Sequence, residues 1–174
     1  MNYGKIVIAD TANGIGCRTS IFVSGCTRHC KGCFNQETWD FHYGRPYTIE
    51  TEIFVTDTLD KPGIDGISIL GGEPMEPRNQ KDIWYLTRRV KKIGKSIWLY
   101  SGYTWEELTD PQNEKVQTTY TRDILERVDV LVDGPFVEEL KDISLQFRGS
   151  RNQRLIDMQK SLEAGEVVMW EEKG

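Results

Sequence analysis

At 174 residues, 38% of them hydrophobic, the chain can bury a genuine core and is of a size for one domain. Its formal net charge of −5 favours neither nucleic acid nor an anionic membrane surface. The more apolar stretches, such as Ile64 to Leu70 and Val128 to Val132, are far too short to cross a bilayer.

The predicted elements run as short apolar strands divided by helices. Ile6-Val7-Ile8-Ala9 is the first strand; Thr19 to Val23 is the second and ends directly at Gly25-Cys26. Thr48 to Asp60 reads as a helix. Ile64 to Leu70 is a strand that stops at Gly71-Gly72. Pro77 to Ile93 places Ile83, Leu86, Val90 and Ile93 on one face at helical spacing, with Lys91, Lys92 and then Gly94 marking its end. Ser96 to Tyr100 is a strand stopping at Ser101-Gly102. Thr104-Trp105-Glu106-Glu107 fits a capping box, so a short helix starts there and ends before Pro111. Asp110 to Thr121 is polar and loop-like. Val128 to Val132 is a strand stopping at Asp133-Gly134-Pro135. In the C-terminal part, Gln146 to Gly174, the segment Leu155 to Lys160 fits helix or strand equally. Glycine-bounded strands separated by helices predict a parallel sheet of βα units. Such sheets carry their chemistry at the carboxyl ends of the strands, where the motifs of this chain fall.

Foremost among these is Cys26-Thr27-Arg28-His29-Cys30-Lys31-Gly32-Cys33, a C-x3-C-x2-C run with no second pair to complete a four-thiolate site. Three thiolates on one loop can hold three irons of a cubane cluster and leave the fourth open to a small molecule. Closely spaced cysteines more often hold structural zinc, and His29, His42 or Cys17 could supply a fourth ligand. Without a distant paired knuckle, however, the run makes an awkward zinc module. Met1 to Gly16 carries Lys5, Asp10 and only a short apolar run, so no signal segment is expected and reduced thiols fit better than disulfides. The expectation is a cytoplasmic protein in a reducing, low-oxygen setting. Cys17 reads as a small buried residue near the site.

On its own, Gly71-Gly72-Glu73-Pro74 would be a strand-to-helix turn. Following the cysteine triplet, it resembles the GGEP segment of the radical S-adenosylmethionine (SAM) superfamily, whose signature is the C-x3-C-x2-C spacing. A narrower resemblance covers nearly the whole chain. It is carried by Asp10-Thr11-Ala12-Asn13-Gly14-Ile15-Gly16-Cys17-Arg18-Thr19, Phe22 to Cys26, Cys30 to Asn35, Asp133-Gly134-Pro135-Phe136 and Gln146-Phe147-Arg148-Gly149-Ser150. This pattern is similar to the activating proteins of anaerobic ribonucleoside-triphosphate reductase.

The resemblance implies an α/β fold, a partial, open (βα) barrel of mostly parallel strands. It implies a [4Fe-4S] cluster on Cys26, Cys30 and Cys33, and SAM held at its methionine end by Gly71, Gly72 and Glu73. It also implies reductive cleavage of SAM to methionine and a 5′-deoxyadenosyl radical, which makes a glycyl radical on the large reductase subunit. A low-potential electron donor such as flavodoxin or ferredoxin is implied too. Gly32 stands where the superfamily commonly has an aromatic residue that seats the adenine, and Phe34 is the candidate to replace it. Ser101 and Asp133 are candidates for other SAM polar groups, or else turn and capping residues. Asn13 and Arg18 match the family's opening pattern, with Arg18 a candidate partner for a carboxylate. Arg148, Arg151 and Arg154 read as a solvated basic face, or more sharply as a docking surface. Trp98, Tyr100, Tyr103 and Trp105 read as core and rim. Competing readings are an activase of pyruvate formate-lyase, a small-molecule radical SAM enzyme, and a non-catalytic zinc or iron–sulfur module. A chain this short has little left over to enclose a small substrate, which favours a protein substrate.

Overall fold

The structure is a computed structural model that describes residues 1–173. Its elements are β1 (Asn2–Asp10), β2 (Arg18–Val23), β3 (Arg45–Pro46), α1 (Ile49–Leu59), β4 (Gly66–Gly71), α2 (Pro77–Lys92), β5 (Ser96–Tyr100), α3 (Trp105–Thr109), α4 (Thr121–Arg127), β6 (Val130–Asp133), β7 (Arg154–Asp157) and α5 (Met158–Ala164). One seven-stranded sheet runs β3-β1-β2-β4-β5-β6-β7. Its centre, β2-β4-β5-β6, is parallel. The expectation of mostly parallel strands holds only there. β1 pairs antiparallel with β2 and β3, and β7 pairs antiparallel with β6, so the sheet is mixed and open. The short loop from β1 to β2 contains no helix, and without a crossover it can only return the chain antiparallel.

Strand alternation divides the central sheet into two faces. Ile21, Val23, Ile67, Ile69, Ile97, Leu99 and Leu131 join the main core with Val55 and Leu59 of α1, Ile83, Leu86 and Val90 of α2, and Ile124 and Leu125 of α4. The opposite face carries Trp98, Val130 and Val132, covered not by helices but by Ile15, Phe147, Leu155 and Trp170. The Trp98 ring meets the edges of Phe147 and Trp170 at 5.2 and 5.1 Å. This loop-covered face leaves room for a cavity at its top.

The three predicted helices form within their expected bounds. Thr48 and Thr51 make a capping box for α1, and Thr104 and Glu107 make one for α3. The segment from Leu155 to Lys160 is both strand and helix: β7 ends at Asp157, whose carboxylate accepts from the Lys160 N–H and starts α5. α4 was not expected; its seven residues are too few for a readable period. Among the described residues, no helix is long and apolar enough to cross a membrane.

Candidate active site

The four motif-bearing turns converge on one rim. β2 leads into Ser24-Gly25-Cys26, β4 into Gly72-Glu73, β5 into Ser101-Gly102 and β6 into Gly134. Gly71 has φ +109, and a Cβ there would lie 2.6 Å from both the N and O of Val23. A Cβ on Gly72 would lie 2.7 Å from the Gly25 carbonyl oxygen and 2.8 Å from that of Thr38. The glycine pair is therefore what lets this turn press against the start of the cysteine loop.

Backbone bonds knit the two segments. Glu73 N–H donates to the Gly25 carbonyl, Gly72 N–H to that of Val23 and Cys26 N–H to that of Trp39. Glu76 Oε1 accepts from the backbone N–H and hydroxyl of Thr27, at 2.8 and 2.7 Å. A cavity of about 530 Å3 opens above, with Cys26, Cys30 and Cys33 on its wall together with Gly71, Gly72 and Glu73. All three thiols are free and half-buried. Burial raises the Cys26 thiol to about 11.

Glu73 is only 1% exposed. Its Oε1 accepts from Met75 N–H (2.9 Å) and the Ser101 hydroxyl (2.8 Å), and its Oε2 from Gly102 N–H (2.6 Å). Burial pushes its carboxyl up to about 7; the three hydrogen bonds and the Arg28 charge pull the other way. Glu73 thus ties the β4 turn to the β5 turn. Ser101 supports that tie: its hydroxyl donates to Glu73 and accepts from Tyr103 N–H.

Other expectations meet a different arrangement. Asp133 is fully buried, shares the helix-side parity of Leu131, and accepts from Arg154 (2.6 Å) and Trp105 N–H (2.7 Å). Its carboxylate braces α3 and β7 and does not line the cavity. Among the described residues, Arg18 meets no carboxylate; it is 1% exposed and donates to Ser68 Oγ and the carbonyls of Ile15, Ile67 and Ser96. Burial lowers its pKa to about 10. Cys17 precedes β2, at the opposite end of that strand from the cysteine loop, half-buried against the main core. His29 stacks on Trp39, with centroids 4.5 Å apart. The three C-terminal arginines do not share a face: Arg154 pairs with Asp133 and Glu106, Arg148 donates to the Gln153 carbonyl and lines the cavity, and Arg151 is exposed.

Phe34 lines the cavity, 59% exposed, with Phe136 edge-on at 5.1 Å and Lys141 Nζ 5.0 Å above its ring. Asn13 also lines the cavity and donates to Asp10 at 2.7 Å. Among the cavity residues to which the sequence reading assigned no site role are Arg28 and Tyr100, the latter read only as core or rim. Arg28 reaches in from the cysteine loop, and Tyr100 carries a buried hydroxyl with no partner among the described residues. Tyr100 had a signal, since strand alternation puts it on the face of Trp98.

Sulfur donors of this kind suit iron. Among the described residues, no three His, Cys, Asp or Glu side chains stand close enough to hold one metal ion. Three separate thiols around one cavity fit a cluster, which takes one sulfur per iron. The sequence model of the family described as "4Fe-4S single cluster domain" matches residues 12–156, so most of the chain is a domain of that iron–sulfur family. Among curated proteins, the anaerobic ribonucleoside-triphosphate reductase-activating protein of Vibrio cholerae is 43% identical over 88% of this chain and 96% of its own length. The protein of the same name from Escherichia coli K12 is 40% identical over the same shares, and that of Enterobacteria phage T4 is 37% identical over 89% and 93%. The chain belongs to the anaerobic ribonucleoside-triphosphate reductase-activating protein family.

Proposed function

We propose that the chain is a radical SAM activase whose substrate is the large subunit of anaerobic ribonucleoside-triphosphate reductase. The observation that carries this reading is the shared cavity of Cys26, Cys30 and Cys33 with the Gly71-Gly72-Glu73 turn. The three thiols are assigned as ligands of a [4Fe-4S] cluster. With a reduced cluster and SAM bound there, the group would supply the one electron that splits SAM into methionine and a 5′-deoxyadenosyl radical, which would take a hydrogen atom from a reductase glycine to leave 5′-deoxyadenosine and a glycyl radical.

The chain's own residues bind and orient. Gly71 and Gly72 give the methionyl end close access to the main chain, and no donor among the described residues reaches the Gly72 carbonyl, which is free to accept from the ammonium. Glu73 acts mainly by fixing that turn, with Ser101 holding its carboxylate. Phe34 and Phe136 offer an aromatic wall for the adenine. Asp133 acts at one remove, through Arg154 and α3. Residues 1–174 are read as one radical SAM domain, its open sheet a partial barrel. The cavity's exposed mouth, with Phe34 at its edge, suits a protein substrate. Relatives named as activating proteins of the anaerobic reductase support that partner. A low-potential donor such as flavodoxin or ferredoxin would supply the electron.

The test is anaerobic reconstitution with iron and sulfide, followed by reduction, SAM, and an assay for 5′-deoxyadenosine with and without the large subunit. Product that vanishes when the three cysteines are replaced supports the reading. Zinc in place of a cluster, with no SAM binding, overturns it in favour of a structural module.

A further inference from the structure

A cation beside Glu73 has no part in the roles assigned so far. Arg28 lines the cavity, and its guanidinium lies over the Tyr103 ring, 4.8 Å from the centroid. Arg28 and Glu73 flank the same glycine: a Cβ on Gly102 would lie 2.5 Å from Arg28 Cδ, 2.8 Å from its Nε and 3.3 Å from Glu73 Oε2. Among the described residues, Arg28 forms no ion pair. A half-buried, aromatic-stacked guanidinium thus faces a ligand cavity with its hydrogen-bonding fork unused.

This pairing of charges suits a zwitterion. The ammonium and carboxylate of an α-amino acid sit on one carbon. A ligand that places its ammonium at the Gly72-Glu73 turn therefore brings its carboxylate within reach of a cation next to Glu73. A planar guanidinium takes a carboxylate through two parallel N–H bonds, and stacking on Tyr103 holds the fork in place. Arg148, the other arginine on the cavity wall, is less free: one terminal nitrogen holds the Gln153 carbonyl, and its Nε is sealed from solvent.

We propose that Arg28 anchors the α-carboxylate of SAM and so selects the intact amino-acid sulfonium over its decarboxylated form. The inference rests on the SAM reading above. Without the guanidinium, the carboxylate would enter a half-buried site short of a counter-charge.

The experiment is calorimetric titration of anaerobic, cluster-loaded wild type, Arg28→Ala and Arg28→Lys with two ligands. One is SAM; the other is decarboxylated SAM, which keeps the amine, sulfonium and adenosine. Iron content per chain is measured alongside, so that affinities are compared at equal cluster loading. Arg28→Ala should weaken SAM binding about ten- to hundred-fold while leaving decarboxylated SAM within about twofold, as removal of a charge-assisted pair predicts. Arg28→Lys should fall between, keeping the charge without the fork. Unchanged SAM affinity in Arg28→Ala, or an equal loss for both ligands, overturns the assignment while the SAM reading stands. Failure of the wild type to bind either ligand sinks that reading and this inference with it.

Discussion

Replacing Glu73 by glutamine separates two effects that the structure sets against each other. The carboxylate accepts three hydrogen bonds, two at Oε1 and one at Oε2. An amide offers one acceptor oxygen, so whichever way it lies, either Met75 N–H or Gly102 N–H is left facing an NH2 group. An orphaned buried donor costs about 1–3 kcal/mol. Against this, the folded protein holds the Glu73 carboxyl near 7, raised from 4.5 by burial. That shift corresponds to about 3 kcal/mol of destabilisation once the group is ionised. The sign follows from linkage: a raised folded pKa favours the native state fully below pH 4.5, and the benefit is lost as pH climbs through 7. Below pH 4.5 the carboxyl is protonated, but its hydroxyl oxygen can still accept the N–H that an amide NH2 cannot, so the wild type should be about 1–3 kcal/mol more stable than Glu73→Gln. Above pH 7 the substitution also removes a buried charge, and the two proteins should come within about 1–2 kcal/mol of each other or change order. Urea unfolding of both cluster-free proteins between pH 4 and 8.5 reads the difference directly, because all other titrating groups are shared. A difference that does not vary with pH, or that grows in favour of the wild type as pH rises, would refute the reasoning.

Three further outcomes follow from the same geometry. Arg18→Met should cost about 3 kcal/mol or more, because Ser68 and three carbonyls lose their donor, and chemical denaturation will show it; a loss near zero would mean that water replaces the guanidinium. Asp133→Asn should destabilise by about 2–4 kcal/mol through the broken pair with Arg154, yet shift SAM affinity by less than about twofold, since the side chain lies on the helix face. A large change in SAM affinity at unchanged stability would return Asp133 to the binding site. Cys30→Ala should abolish 5′-deoxyadenosine formation and cut the iron content while the circular dichroism spectrum persists, because the half-exposed Cys30 belongs to neither hydrophobic core cluster; full activity would remove it from the ligand set.

What could be read from the sequence was whatever local spacing encodes. The cysteine run, the strand-ending glycines, the α2 stripe and the Thr104–Glu107 capping box each depend on residues within a turn or two of one another, and the elements they mark formed where expected. Errors arose where a role is decided by distant partners. Arg18 looks like a carboxylate partner until Ser96, far along the chain, supplies a carbonyl to it. Ser101 and Glu73 each look ready for a ligand and both line the cavity, but their hydrogen bond to each other across two strand ends has no local signature. Asp133 is a partial exception. Its parity with Leu131 was visible in the sequence, but only the structure shows that this parity faces the helices. The strand alternation that exposes Tyr100 to the cavity withdraws Asp133 from it.

The scaffold holds the cysteine loop by its ends rather than along its length. Gly25 and Cys26 at its start bond to Thr38 and Trp39 beyond its end, and Glu73 and Glu76 fasten Gly25 and Thr27 from the β4–α2 turn. Among the described residues, the only backbone–backbone bond between Arg28 and Phe34 is Cys33 N–H to the Cys30 carbonyl, and Asn35 N–H donates to Cys33 Sγ at 3.4 Å. A loop fixed at its base but loosely bonded within can let its sulfurs move to the spacing that a cluster imposes. On the proposed ligand assignment, cluster binding would then order the loop without straining the sheet. The same base carries Gly72, so cluster and ligand would be positioned by one clamp. A substitution that loosens the Gly25–Gly72 contact should therefore impair both together, although neither glycine has a side chain with which to touch either group.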